Sequence, residues 1–460
     1  MKKSRTDFFN ILLVLNEVSM EPQVLPLHPI AFVFTIVSSI LILVLPRRSA
    51  LLPLIFALVF IPLQQRVVIA SLDFFILRIL ILFGWARVVT RSEYRSVTLN
   101  ALDKAVILWV VSGTIAYSLL WHTGAAFINR LGISFDILGI YFLVRFLVRD
   151  FDDITWVIKT FALVSIPVAL AMLVERQTGR NLFSIFGGVP EFTAVRDGRF
   201  RCQGAFSHAI TAGTFGATLL PLFVGLKWRS GAGLMMWAGI ISAAVITVNS
   251  SSSGPAIAFA GAVIALLLWR MRQKMRAVRW GVVITLVVLH IVMKAPVWAI
   301  VMKIKVFGAS TAYHRYNLID KFLGNFTEWF LIGVKSTAGW GYYLYDVTNY
   351  FVRIGVDGGL PTLLIFIAVL AYSFKGVGMA VKTLSRDTDK KFVWAMGAAL
   401  LAHVVSFMGV SYFDQIKFVF YIMLAIISVT SSLTQASARE GARCPEGALE
   451  AGLETGRQAP

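Results

Sequence analysis

Apolar runs of about 17–25 residues recur along this chain, and their repetition limits its fold more than any other feature. A run of that length matches the hydrocarbon thickness of a bilayer. Inside that layer every backbone N–H and C=O must be satisfied within the protein, which leaves helices as the natural spanning element. Composition agrees: 58% of the residues are hydrophobic and 15% charged, with a mean hydropathy of +0.77. The expected fold class is all-α, a polytopic integral membrane protein with about 12 or 13 transmembrane helices and one long exported loop. The apolar stretches fall at 30–45, 51–66, 69–88, 105–121, 131–148, 154–174, 206–226, 231–249, 254–269, 280–297, 356–374, 393–412 and 416–433. Pro46, Pro53 and Pro62 break the first two, so one of them is a candidate re-entrant or bent half-helix.

The expected organisation is an N-terminal segment 1–29 of unassigned side, a membrane domain 30–433 and a disordered cytoplasmic tail 434–460 rich in Ala, Gly and Glu. No cleavable signal peptide is evident, because the apolar stretch after the N-terminal charges is interrupted by Asn10, Asn16 and Glu17. The net charge of +19 would suggest nucleic acid in a soluble protein. Here it is read as basic loops that orient spans and meet anionic membrane lipids, with no nucleic-acid partner. Strongly basic connections at Arg87 to Lys104, Arg270 to Arg279 and Lys375 to Lys391 lie an even number of crossings apart. The positive-inside rule places them in the cytoplasm, which puts 175–205 and 298–355 outside. Cys202 and Cys444 then fall on opposite sides and cannot pair, and neither a disulfide framework nor a zinc spacing is present.

The exported loops are nevertheless basic. Loop 175–205 carries Arg176, Arg180, Arg196, Arg199 and Arg201, and loop 298–355 carries Lys303, Lys305, Arg315, Lys321, Lys335 and Arg353. Such charge points either to an anionic ligand handled on that face or to lipid headgroups alone. In Arg199-Phe-Arg201-Cys-Gln-Gly204-Ala-Phe-Ser-His208 the chain leads directly into a helix. Guanidinium forks and first-turn amides both favour phosphate. Arg199 and Arg201 alternate as on an extended strand and should point the same way, Arg201 being nearer the membrane. His208, in the first helical turn, is a candidate ligand or a plain cap.

The turn Thr247-Val-Asn249-Ser-Ser-Ser-Ser253-Gly-Pro255 reads as ordinary turn chemistry that could also line a glycan or phosphate site. Residues 313–323 should form an amphipathic interfacial helix through Leu318, Ile319, Phe322 and Leu323, carrying His314 and Arg315; Arg315 either faces a cavity or snorkels. Trp329, Trp340, Tyr342, Tyr343 and Tyr345 are candidate sugar platforms or an interfacial aromatic belt. Arg78 reads as a charge near mid-span, and Asp73 and Asp136 as carboxylates near external helix ends that either serve the external face or pair with arginines.

The order of these features is similar to that of a known family. Arg-x-x-Gly-x-Phe-x-His (Arg201 to His208) is followed by the Ser-rich turn ending in Gly-Pro, the long loop with Tyr313-His-Arg315, Gly339-Trp-Gly341, Asp346-Val-Thr348-Asn349-Tyr350 and Gly358-Gly-Leu360. Across roughly residues 70–430 the chain resembles the bacterial O-antigen ligase and polysaccharide repeat-unit polymerase superfamily. The resemblance implies glycan transfer from a polyprenyl-diphosphate donor at the periplasmic face of the inner membrane, without a metal or other cofactor. Arg201 and Arg315 match its arginines. Together with the residues read above, this gives Arg199, Arg201, His208, His314 and Asn349 as candidate substrate-binding residues, Arg315 and Asp346 as candidate catalytic residues, and a chain-length regulator as a candidate partner.

Two departures matter. Ser252 and Ser253 stand where ligases commonly carry an arginine, and Thr348 where they carry a histidine. A base must then come from Asp346, Glu328 or His314, with Asp346 preferred. These losses favour repeat-unit polymerisation, with inversion at the anomeric carbon, over ligation of a finished glycan to a lipid or protein acceptor. A transporter or flippase should show internal repeats with interrupted helices, and no such repeat is seen.

Overall fold

The computed structural model describes residues 28–69, 72–303 and 312–455. The protein is 77% helical with almost no sheet. In chain order the helices are α1 (Pro29–Val44), α2 (Leu52–Phe60), α3 (Ile76–Thr90), α4 (Ala101–Trp121), α5 (Gly124–Leu147), α6 (Phe151–Thr178), α7 (Ala209–Gly225), α8 (Gly233–Asn249), α9 (Ser253–Leu267), α10 (Met275–Val292), α11 (Ala312–Gly324), α12 (Phe326–Trp329), α13 (Tyr350–Thr383), α14 (Asp387–Phe407) and α15 (Gln415–Thr455). Two short antiparallel hairpins complete the fold: β1 (Arg66–Ile69) with β2 (Leu72–Phe75), and β3 (Val195–Arg196) with β4 (Arg199–Phe200).

Eight helical segments among the described residues are long and apolar enough to cross a membrane, and α1 and α8 are shorter apolar helices. The eight take Ser253–Val292 as one segment, although it divides into α9 and α10. The structure departs from the expected spans at 51–88. Helix α2 has 9 residues, about 14 Å of rise, and cannot cross a bilayer alone. The next apolar run divides into the β1–β2 hairpin and the 15-residue α3. Arg78 therefore sits in the first turn of α3, not at mid-span. Its guanidinium meets Asp136 at 2.7 and 3.1 Å, while Asp136 also receives Lys417 at 3.0 Å and Asp73 pairs with Arg66 at 3.4 Å.

The two ends of the bundle are fastened differently. At the end expected in the cytoplasm, basic residues are neutralised by carboxylates. Asp103 accepts from Arg145, Tyr141 and Ser428 at 2.6–3.0 Å and thereby joins α4, α5 and α15. Arg87 pairs with Glu93, Arg47 with Asp153, and Arg229 with Asp152 and Asp389. At the other end, His28 N donates to Gln65 Oε1 at 2.8 Å and Gln65 Nε2 donates to Phe186 O, so position 28 lies on the same side as loop 175–205. Positions 1–27, Lys305 and Ser310 lie outside the described residues.

Helices α9 and α10 are joined by a tight basic turn over Leu268–Lys274. Arg315 of α11 lies beside Gly254 at the start of α9. The end of α10 reaches that same helix, because His290 stacks on Trp298 at 5.7 Å and Trp298 donates to Asp320 at 3.4 Å. A straight rod through α9 and α10 would separate these points by about 55 Å. The chain therefore turns back at Leu268–Lys274, as the basic connection predicted. No side chain of α10 is buried. At the C-terminus the α15 backbone continues to Thr455, through the stretch expected as an irregular tail. Its many alanines and glutamates are good helix formers.

Candidate functional site

Arg201 is positioned by its backbone. The buried Glu175 carboxylate, at the end of α6, accepts from Gln203 N at 3.0 Å, Gly204 N at 2.9 Å and Thr193 Oγ1 at 3.0 Å. Asn181 donates to Gly204 O, Cys202 N to Asn249 O, and Arg201 N to Ala194 O. These bonds clamp 201–204 between the hairpin and the Ser-rich turn. Gly204 takes a left-handed φ of 57° that a larger residue would resist. Burial holds the Cys202 thiol up at about 12, so it is inert packing rather than a nucleophile.

The Arg201 guanidinium then reaches Ser252, donating from Nη2 to Oγ at 3.0 Å. Ser252 spends its own proton on Ser250 O at 3.0 Å and makes no side-chain cap on α9. Arg201 Nε is buried without a hydrogen-bond partner. Arg315 arrives from the opposite direction. Of the expected apolar face, Leu318 and Phe322 bury the inner side of α11, while Leu323 is exposed. This sets the Arg315 guanidinium over the bare backbone of Gly409, where an added Cβ would lie 3.1 Å from Cζ, and 3.7 Å from a Cβ built at Gly254. Arg315 Nε is also buried and unpartnered. Two guanidiniums therefore meet at the start of α9, where the helix amides themselves favour an anion.

Burial, and after it the charge of Arg196, lowers the pKa of both arginines. They stay protonated all the same, since guanidinium does not titrate in proteins. Arg196 is thus a further positive charge felt at this point. The β3–β4 hairpin pairs Arg196 with Arg199 through Asp197 and Gly198, both left-handed, the geometry of a two-residue type I′ turn. The strand ends at Phe200, so the alternation that would align Arg199 with Arg201 stops one residue short.

The remaining candidates divide. His208 caps α7, its Nδ1 accepting from Ile210 N at 3.3 Å while its ring opens to solvent against Phe413. Surrounding protein, and next the Arg201 charge, hold its pKa below the usual imidazole value, against an opposing pull from Asp346. Asp346 is exposed, and its main-chain oxygen accepts from His314 Nε2 at 2.9 Å. His314 thus props the segment that carries Asp346. Glu328 accepts from Trp340 Nε1 at 2.7 Å. Asn349 is buried and its side-chain oxygen caps α13, accepting from Phe351 N and Val352 N, so this amide oxygen is committed to the fold rather than open to substrate. Thr348 leaves a buried hydroxyl without a hydrogen-bond partner.

Sequence reasoning missed Gly409 and Asp414, which come from the short α14–α15 connection. Asp414, at φ 64°, accepts from Ser207 N at 2.8 Å and from Thr211 at 3.4 Å, at the start of α7. The signal was faint: a carboxylate in Tyr412-Phe-Asp414-Gln, between two apolar runs. Burial pushes its carboxyl up to about 6, above an ordinary value of about 3.9. The folded state therefore binds this proton more tightly than the unfolded chain. The resulting stability is complete below about pH 4 and is lost as pH rises through about 6. Asp414→Asn keeps a side chain that tolerates left-handed backbone and should flatten the decline in thermal midpoint between about pH 4 and 7. A decline as steep as that of the wild type would refute this assignment.

Gly409 gives a second test. A methyl group at Gly409 must push the Arg315 guanidinium aside by a few tenths of an ångström. Gly409→Ala should lower activity by about tenfold at normal membrane abundance, since positioning errors of that size carry such costs.

Other arginines of the interior have carboxylate partners: Arg78, Arg87, Arg130 and Arg145 are each in a salt bridge. Arg201 and Arg315 are directed instead at a helix start. Among the described residues no group of three or more His, Cys, Asp and Glu is gathered as metal ligands would be. No family model, curated protein or solved structure matches the chain.

Proposed function

We propose that the protein is a membrane glycosyltransferase that polymerises polyprenyl-diphosphate-linked oligosaccharide units into a surface polysaccharide at the periplasmic face of the bacterial inner membrane. One observation carries this reading: Arg201 and Arg315, both partly buried and in no salt bridge among the described residues, each keep a buried, unpartnered Nε near the start of α9. A buried charge without a counter-charge is costly, and a diphosphate would supply both the charge and the acceptors, two forks meeting its oxygens bidentately. The resemblance of the Arg201–His208 and Asp346–Tyr350 motifs to the polymerase and ligase superfamily supports the same donor.

In this mechanism an acceptor hydroxyl oxygen attacks the anomeric carbon. The bond from that carbon to the diphosphate breaks, the configuration inverts, and the hydroxyl proton passes to the exposed Asp346 carboxylate. The negative charge growing on the leaving diphosphate falls between the arginines, which are fixed before the reaction begins. The charges of Arg201 and Asp346 are both felt at His208. The polymerase reading is tested by the lipid-linked glycans of cells lacking this chain. Single repeat units stalled on the carrier are the expected result. Long chains stalled there would instead assign ligation, and an unchanged profile would end the transferase reading.

A further inference from the structure

A second recess opens at the same end of the bundle, on the far side of the segment that carries Asp346. Its floor is the last turn of α4, its rim the 334–337 segment, and its wall the 345–347 segment with the first turns of α13. The volume is about 130 Å³, room for one ring rather than a chain. Tyr345 and Val347 line it, whereas Asp346 between them acts on His208 at the arginine cluster. The turn that ends at Asp346, closed by Asp346 N donating to Tyr343 O at 3.3 Å, thus lies between the two places.

The lining is aromatic and positive. Tyr117, Trp121 and Tyr345 supply ring faces. The Lys335 ammonium lies 5.7 Å over the Trp121 ring and is in no salt bridge among the described residues. Arg130 lies 4.6 Å over Tyr117. Asp357 is shared by Arg353 at 3.1 Å and by Arg130, outside the lining, at 3.5 Å, so the Asp357 carboxylate is already matched and the Lys335 charge is left over. The backbone around it is stiff: Val334 N donates to Val356 O at 2.9 Å and Thr337 Oγ1 to Leu344 O at 2.6 Å. A neutral sugar would use the rings and leave the excess charge unanswered, whereas a sugar bearing a carboxylate uses both.

We infer that this recess is a subsite for a carboxylated sugar, of the uronic acid class, in the glycan being processed. The inference rests on the transferase reading only in taking the ligand to be a glycan. The test uses the purified full chain and direct binding of trigalacturonate against maltotriose by calorimetry. Trigalacturonate should bind at least about tenfold more tightly, a difference one added ion pair readily supplies. Lys335→Gln should remove the preference, and Trp121→Ala should weaken both sugars; Trp121→Phe, which keeps a ring, should restore most of the binding. Arg315→Ala should leave trigalacturonate binding unchanged. Equal affinity for the two sugars, absence of binding, or binding lost in Arg315→Ala but kept in Lys335→Gln would each overturn the subsite. Because the readout is binding, the subsite can fail while polymer synthesis persists, and can stand where the transferase reading falls.

Discussion

Arg315→Ala should abolish polymer synthesis while leaving the protein in the membrane at its normal level. The guanidinium is not a strut of the bundle. It lies over the backbone of Gly409 beside Gly254 with its Nε unpartnered, so truncation removes a partly buried, repelling charge from the vicinity of Arg196 and orphans no carboxylate among the described residues. Stability should hold or rise slightly. Activity should fall by at least about a hundredfold, the usual cost of removing one preorganised donor aimed at a developing negative charge. Arg315→Lys keeps the charge and loses the fork, and should recover only a small part. The checks are a complementation assay for surface polymer and a membrane blot on the same cells. Normal polymer in the alanine variant would remove the central residue of the mechanism.

The largest effect on folding is expected at Gly359. Helix α13 breaks there, with φ 72° and ψ −178°, a region that residues with a side chain scarcely occupy. Into the break fits the Phe330–Val334 segment: Leu360 N donates to Phe330 O at 2.8 Å and Val334 N to Val356 O at 2.9 Å. The contact is mutual. A Cβ on Gly359 would lie 2.3 Å from Leu331 O, and a Cβ on Gly333, itself at φ 97°, would lie 2.1 Å from Val356 O. Neither backbone can yield without breaking these hydrogen bonds. Gly359→Ala should cost more than about 3 kcal/mol, strain and clash together. Gly339→Ala, which meets nothing within 4 Å, is the matched control. Thermal unfolding in detergent and membrane abundance should separate the two, and a Gly359→Ala protein as stable as the control would contradict the docked break.

Much of this was legible in the sequence, for reasons that differ by residue. Spans from α4 onward follow hydropathy because lipid enforces a simple rule of length and polarity. The β1–β2 hairpin escaped it: Val67, Val68, Phe74 and Phe75 are as apolar as a helix face, and a short apolar run has no period to betray it. Arg201 and Arg315 stood out as charge on loops expected to be exported. What holds them did not. Ser252, Gly409 and Glu175 each meet an arginine or its loop across a gap in sequence that no local pattern encodes. Asn349 is ambiguous for the opposite reason, since an amide at a helix start has the same composition whether it serves a substrate or the backbone.

Helix α10, with no side chain buried, has a consequence for how the protein should be handled. Neighbouring helices hold the other spans in register, but this one is held by its solvent. Its far end connects through Trp298 to α11, the helix that carries Arg315. The acyl chains are therefore part of the scaffold on that flank. Exchanging them for a micelle changes a support of the helix that carries Arg315 without altering one residue, so activity should be compared in bilayers of defined thickness before any loss on purification is ascribed to the protein.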